Sequence, residues 1–227
     1  MSDARRICLV GATGLVGSHI IARAVSDPHV RLVGVARREV ALPVGARMEM
    51  LIADPSGWDD AIAASGAQVL VCALGTTWAK AGKDEAAFRA VDRELVLACA
   101  RAAKAAGIEH MIVVSSVGAS IAARPFYLRV KGEVEDALAK LRFRRLDILR
   151  PGLLRGQRGA ERRWAERLAI LAAPLTDLLL HGTRRKYRSI RADTVAQAVL
   201  ALAKAKPGGR FVHEHDAMLY AIRRVGG

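Results

Sequence analysis

The chain has 227 residues, of which 52% are hydrophobic and 26% are charged, and its formal net charge is +14. This length supports one full hydrophobic core and is short for two ordinary domains with a linker, while the composition excludes a disordered chain. Three cysteines lie far apart at Cys8, Cys72 and Cys99. Their number and spacing exclude a disulfide framework and a CxxC metal site.

Short apolar runs alternate with segments of helical periodicity over the first two thirds of the chain. Apolar runs that end in glycine or polar residues are typical of strands buried on both faces. The predicted strands are Ile7–Val10, Val30–Ala36, Met48–Ile52, Gln68–Leu74, Met111–Val114 and Leu146–Leu149. The predicted helices are Leu15–Val25, Trp58–Ala64, Asp84–Ala106 and Pro125–Leu141.

This alternation predicts an α/β fold, a doubly wound Rossmann-type parallel sheet with helices on both faces. The pattern changes after Pro151: Arg162–Leu180 is mainly helical and irregular, Thr194–Lys204 is a helix, and Phe211-Val212 forms a last short strand. We therefore expect a single domain over residues 1–227. Within it, about 153–190 and 206–227 form an elaboration on the substrate side.

A glycine-rich segment follows the first predicted strand and reads Gly11-x-x-Gly14-x-x-Gly17. Between a strand and a helix, this spacing is typical of a dinucleotide-binding loop, in which main-chain N–H groups and the helix dipole hold a diphosphate. The predicted contacts are Gly11, Thr13, Gly14, Leu15, Val16 and Gly17. The alternative is a strand-to-helix turn that needs glycine only for packing.

The end of the second strand indicates which cofactor binds. A carboxylate at this position holds the ribose of NAD, whereas the chain has Arg37 and Arg38 here. A guanidinium pairs with a phosphate at two points, so we predict that both arginines favour NADP(H) over NAD(H). Glu39 is the competing residue, since it would reach the ribose if the strand ended later. Asp54 is a candidate to bind the edge of the cofactor's adenine ring. The alternative is that it is simply a turn residue before Pro55.

Tyr127 and Lys131 lie four residues apart in a predicted helix and therefore share one face. A free phenol has a pKa near 10, and a neighbouring ammonium favours the phenolate, which makes the phenol a usable acid or base. Upstream, the strand Met111–Val114 ends in Ser115-Ser116. A hydroxyl at the carboxyl edge of a parallel sheet faces the ligand crevice and can steady a carbonyl oxygen.

Together the motifs resemble the short-chain dehydrogenase/reductase superfamily, in its atypical NAD-dependent epimerase/dehydratase-like branch. Three stretches, Ala73–Thr77, Lys83–Asp92 and Tyr127–Glu135, are similar to a narrower group, the Tat-interacting-protein-like oxidoreductases and their bacterial relatives. The resemblance covers about residues 5–205, and its motifs are the glycine loop, Val113-Val114-Ser115-Ser116, Tyr127-x-x-x-Lys131 and Arg150-Pro151-Gly152.

The resemblance implies hydride transfer to or from a small carbonyl or alcohol, with Ser116, Tyr127 and Lys131 as catalytic residues. Ser116 matches the family serine better than Ser115, which is assigned to the cofactor together with Lys131. Further implied cofactor contacts are Leu74, Gly75, Thr76, Pro151, Gly152 and Leu153.

One feature departs from this family pattern. Many members use an asparagine as a fourth catalytic residue, and this chain contains none. The comparable helix carries Asp92 instead, so the family's full proton relay is not expected. This departure favours the alternative that the protein is an NADP(H)-sensing regulatory or scaffold protein with little or no catalysis.

The positive charge is concentrated between Arg142 and Arg191. Such a patch can hold nucleic acid, anionic lipid or a phosphorylated small molecule. No nucleic-acid motif accompanies it and aromatic residues are only 4% of the chain, so a small-molecule substrate is the expected partner. The alternative is peripheral membrane contact through Arg162–Leu180, which mixes arginines with leucines and Trp164.

Two further expectations concern metal and location. His213-Glu214-His215 places two imidazoles on one side of a strand, but no third ligand is nearby, so no metal site is expected. The sequence shows no apolar stretch long enough to cross a membrane and no signal peptide, which predicts a cytoplasmic protein. It does not indicate an oligomeric state.

Overall fold

The computed structural model describes residues 4–46, 48–156 and 182–225. Its strands are β1 (Arg5–Val10), β2 (Val30–Ala36), β3 (Glu49–Ile52), β4 (Val69–Cys72), β5 (His110–Val114), β6 (Arg145–Leu149), β7 (Leu154–Arg155), β8 (Ile190–Arg191) and β9 (Gly209–His213). Seven of them form one parallel sheet in the order β3-β2-β1-β4-β5-β6-β9, and β7 pairs with β8. The predicted α/β Rossmann-type fold is confirmed.

Helices cover both faces of the sheet. One face packs against α1 (Leu15–Ala24), α6 (Ala192–Ala203) and α7 (His215–Val225). The other packs against α2 (Trp58–Ala64), α4 (Val96–Ala105) and α5 (Phe126–Lys140). All four residues of the central strand β4 are buried because both faces are covered, which explains its purely apolar sequence.

The predicted boundaries of these elements agree with the structure to within two residues. The helix predicted from Asp84 to Ala106 is interrupted: α3 (Glu85–Arg89) leads into a π-helical segment (Ala90–Leu95) before α4 begins. A π-turn forms i→i+5 hydrogen bonds, which the periodicity of side chains does not reveal.

The C-terminal part adds a strand and a helix to the main fold, and the predicted strand Phe211-Val212 lies within β9. The strand β9 pairs with β6 and forms an edge of the main sheet, and α7 packs on α6 through Met218, Ala221 and Ile222. The predicted helical stretch Arg162–Leu180 lies outside the described residues. Within the described ranges, no helix has both the length and the apolar character that a bilayer crossing requires.

Asp147 in β6 is a fully buried carboxylate that organises this edge of the sheet. Arg145 donates to both of its oxygens at 2.6 and 2.8 Å, and Nε2 atoms of His110 and His213 lie 2.8 and 2.7 Å away. Burial raises the pKa of the Asp147 carboxyl, but these hydrogen bonds outweigh it and hold the pKa well below its ordinary value. The expectation that His213 and His215 share one side of a strand is wrong, since His215 begins α7.

Candidate active site

The glycine loop joins β1 to α1 at the centre of the sheet's carboxyl edge. Gly11 has a φ of +92°, and a Cβ there would lie 2.6 Å from the carbonyl carbon and oxygen of Ala73. A Cβ on Gly17 would lie 2.1 Å from the Gly11 carbonyl oxygen. Both positions therefore require glycine, the first for its turn and close contact, the other for packing α1 against β1.

The N-terminus of α1 is open to an anion. Gly14 is the N-cap, no side chain caps the helix and its first turn contains no acidic residue. Thr13 is exposed, whereas the side chains of Leu15 and Val16 are buried. Leu15 and Val16 can therefore offer a ligand only their main-chain N–H groups. An uncapped N-terminus with free N–H groups is a suitable site for a phosphate.

The loops after β2 and β3 leave the sheet side by side. Arg37 and Arg38 follow β2, and both are exposed, as is Glu39. Neither guanidinium forms an ion pair with any described residue. Asp54 follows β3 and is also exposed, at the N-cap of a short 3₁₀ turn. This corner of the carboxyl edge therefore carries unpaired cations next to a carboxylate.

The loop after β4 contacts a buried carboxylate, that of Asp92. Leu74 is half-buried and Gly75 is exposed, while the Thr76 N–H donates to Oδ2 of Asp92 at 2.7 Å. The other oxygen, Asp92 Oδ1, lies 2.9 Å from Nζ of Lys131. The structure thus joins a predicted cofactor loop to the predicted catalytic lysine through Asp92.

Lys131 lies inside the protein and Tyr127 at its surface. The Lys131 residue is 5% exposed and Tyr127 is 37% exposed. Burial lowers the pKa of the Lys131 ammonium, but the charge of Asp92, helped by Tyr127, more than offsets this, so the pKa lies above its usual value. The phenol therefore faces solvent next to an ammonium that stays charged.

The two serines after β5 have different environments. Ser115 is buried, and its hydroxyl donates to Glu135 Oε1 at 2.5 Å. Arg150 holds the same carboxylate with two nitrogens, at distances between 2.5 and 3.2 Å. Ser116 is half-buried, and within the part of the chain that the structure describes its hydroxyl makes only a long contact, 3.4 Å, to the Val117 carbonyl oxygen. Ser116 is therefore the serine with a hydroxyl available to a ligand, while the Ser115 hydroxyl is already engaged.

The segment after β6 closes the same edge of the sheet. The Pro151 carbonyl accepts a hydrogen bond from the Val117 N–H at 3.0 Å, which ties this segment to the serine loop. A Cβ on Gly152 would lie 2.4 Å from the Arg188 carbonyl oxygen, so the chain passes closely beneath residues 187–188. Leu153 is 48% exposed.

A cluster of aromatic side chains surrounds Tyr127, and the sequence analysis did not identify it. Phe88 makes an edge contact to Tyr127 with ring centroids 5.8 Å apart, and Phe126 lies 5.6 Å from Phe88. Trp78, which is 39% exposed, packs on Phe126 at 5.4 Å. A signal was present in the sequence, because aromatic residues are only 4% of the chain and two of these four, Phe126 and Tyr127, are adjacent at the predicted site.

The ion pair between Asp92 and Lys131 was also missed. Asp92 lies four residues after Phe88 and is fully buried like it. A carboxylate on the apolar face of a helix needs a buried partner. That rule was the available signal, and only the tertiary structure identifies the partner as Lys131.

Comparison with known proteins agrees with this architecture. A family model described as NAD(P)H-binding matches residues 11–206. The mitochondrial protein fmp52 of Emericella nidulans is 36% identical over 206 residues, which is 88% of this chain and 84% of that protein. FMP52 of Saccharomyces cerevisiae is 37% identical over 153 residues, 66% of each chain.

A solved structure described as a putative NAD-dependent epimerase/dehydratase from Bacillus halodurans superposes with a TM-score of 0.72. The match covers 97% of this chain and 100% of that one at 19% identity, and at this identity it supports the fold alone. The names of the fungal relatives contradict the predicted cytoplasmic location, because both are called mitochondrial. The described residues and these matches agree on one assignment: the chain belongs to the NAD(P)H-binding family, and its relatives include the Fmp52 proteins.

Proposed function

We propose that the protein is an NADP(H)-dependent oxidoreductase that transfers a hydride to or from a small carbonyl or alcohol, with Ser116, Tyr127 and Lys131 as catalytic residues. The observation that carries this proposal is that an exposed Tyr127 phenol lies within electrostatic reach of a buried Lys131 ammonium, in the helix that follows β5. In parallel α/β sheets the carboxyl edge is where ligands bind.

The residues at this edge fit a dinucleotide. The uncapped start of α1 suits the diphosphate, held by Gly11, Thr13 and Gly14 and by the N–H groups of the first helical turn. Leu74, Gly75 and Thr76 would line the cofactor, and Pro151, Gly152 and Leu153 would close over its nicotinamide. When bound, the nicotinamide supplies or accepts the hydride.

The side chains supply the proton. In the reducing direction, the Tyr127 hydroxyl gives its proton to the substrate oxygen, while the hydroxyl of Ser116 donates a hydrogen bond to that oxygen. The Lys131 ammonium stabilises the resulting phenolate, since an adjacent positive charge favours the charged form of a phenol. Solvent then returns a proton to Tyr127, which its exposure allows. Oxidation runs through the same groups in reverse.

Binding of NADPH and NADH tests the cofactor assignment. We expect the double variant Arg37→Ala/Arg38→Ala to weaken NADPH binding by about 10- to 100-fold, because it removes charge-assisted hydrogen bonds to the 2′-phosphate. NADH affinity should change little. The control is Arg31→Ala, which removes an exposed arginine from the opposite end of β2. Fluorescence titration gives the Kd values, and wild-type protein that binds NADH more tightly than NADPH contradicts the assignment.

A panel of small carbonyl compounds with NADPH tests for catalysis. Turnover that depends on Tyr127 supports an oxidoreductase. A cofactor-sensing regulatory protein is the second candidate, and the observation that favours it is the charge of Asp92, which balances that of Lys131 and reduces its effect on the phenol. Tight NADPH binding with no turnover of any tested carbonyl would favour this second candidate.

A further inference from the structure

We propose that Asp92 is a positioning residue of the site: its two carboxylate oxygens hold the Lys131 ammonium and the Thr76 peptide N–H together, so that Lys131 stays protonated beside Tyr127. This inference rests on the proposed function for its catalytic meaning. Its structural content, the dependence of the Lys131 charge on Asp92, can be tested without cofactor or substrate.

Among the described residues, the Asp92 carboxylate has two partners, Lys131 and the Thr76 peptide. Its side chain is fully buried, with Oδ1 2.9 Å from Lys131 Nζ and Oδ2 2.7 Å from the Thr76 nitrogen. Asp92 is the third residue of the π-helical segment Ala90–Leu95. A π-turn changes the direction of side chains relative to an α-helix and is often found at functional sites. Here it occurs at the residue that connects the loop after β4 to α5.

Only a carboxylate satisfies both neighbours. Lys131 and the Thr76 peptide are both hydrogen-bond donors, so each must meet an acceptor oxygen. An amide side chain has one oxygen and one NH₂ group, and at this position its NH₂ group would face a donor. An asparagine would therefore leave either the ammonium or the peptide N–H buried without a partner, which is costly. The need for two acceptor oxygens explains why this chain has Asp92 at the position where many members of the similar family have asparagine.

The charge of Lys131 depends on few groups. Among the described residues, the titratable groups that act on it are Asp92, Tyr127 and Cys72. Burial raises the pKa of the Cys72 thiol to about 11, so that the thiol is neutral at pH 7. Of the other two groups, Asp92 is the one with an oxygen at ion-pair distance from Lys131 Nζ, 2.9 Å away. Asp92 is therefore the anion that compensates for the burial of Lys131.

Thermal unfolding of the cofactor-free protein tests this dependence through Asp92→Asn. With no counter-ion, the folded state is expected to release the Lys131 proton at a pH below the ordinary lysine value of about 10.4. Between the lowered pKa of Lys131 in the folded state and the ordinary lysine pKa, the unfolded chain binds more protons than the folded one. The free energy of unfolding therefore rises with pH in this range. We expect the Tm of Asp92→Asn, relative to wild type, to rise by about 5 °C from pH 7 to pH 9.5.

Two further variants identify the titrating group. In the double variant Asp92→Asn/Lys131→Met, the rise in Tm with pH should vanish, because the variant has no ammonium at this position. Glu133→Gln is the matched control, since Glu133 pairs with Arg89 and Arg93 and makes no described contact with Lys131. Its Tm should follow the wild-type dependence on pH.

The folding and Tm results can support or overturn the role of Asp92. If Asp92→Asn fails to fold at pH 7 while Asp92→Asn/Lys131→Met folds, the unpaired ammonium is the cause and the inference stands. The inference is overturned if Asp92→Asn parallels wild type, if the rise persists without Lys131, or if neither variant folds. Failure of wild-type protein to bind NADPH would refute the proposed function instead, and would leave the Tm result intact.

Discussion

Replacement of Tyr127 by phenylalanine should lower kcat by about 10³-fold, because the substrate oxygen loses its proton donor. The change removes a single oxygen from a side chain that is 37% exposed, and the ring can keep its edge contact with Phe88. NADPH binding should therefore stay within about twofold of wild type. Steady-state kinetics on a carbonyl substrate and fluorescence titration of NADPH measure the two quantities separately.

Tyr220→Phe is the control for this variant. Tyr220 lies in α7, on the opposite face of the sheet from α5, and is 57% exposed, so its replacement makes the same chemical change away from Tyr127. Its kcat should equal that of wild type. A Tyr127→Phe protein with wild-type turnover would exclude the phenol from the reaction, and a parallel loss of NADPH binding would mean that the variant disturbs the cofactor site instead.

Replacement of Gly17 by alanine should abolish NADPH binding at accessible concentrations, a loss of at least about 100-fold. The new Cβ would lie 2.1 Å from the Gly11 carbonyl oxygen and 2.9 Å from Ala12 Cα. These are backbone atoms, so α1 must move away from the loop and its N–H groups lose their alignment. Overpacking of this kind also costs about 1–3 kcal/mol of folding free energy, which denaturant unfolding will show.

Gly57→Ala separates this local effect from glycine replacement in general. Gly57 precedes α2 with a φ of −109°, and a Cβ there would meet nothing closer than 3.9 Å. We expect unchanged NADPH binding and a stability within about 0.5 kcal/mol of wild type. If Gly17→Ala bound NADPH as tightly as Gly57→Ala does, the loop would not be the diphosphate site.

The order and type of the elements could be predicted because each depends on neighbours in sequence. Val69–Cys72 is apolar throughout, since a central parallel strand is buried on both faces, and the residues that follow β1 show the glycine spacing of a tight turn. The helix α7 (His215–Val225) was not predicted. A local signal was present, because Met218, Ala221 and Ile222 keep helical spacing, and in the structure these three side chains pack into the core beside α6.

Local pattern was therefore sufficient for the parallel fold, the glycine loop and the shared helix face of Tyr127 and Lys131, because turn geometry and periodicity act over a few residues. The working arrangement of the site needed the folded chain. Only there does Glu135 engage Ser115 and leave Ser116 available, and only there does Asp92 meet Lys131. These partners are distant in sequence, and their pairing follows from burial, since a charged or polar group taken from water must find its complement among the side chains that the fold brings to it.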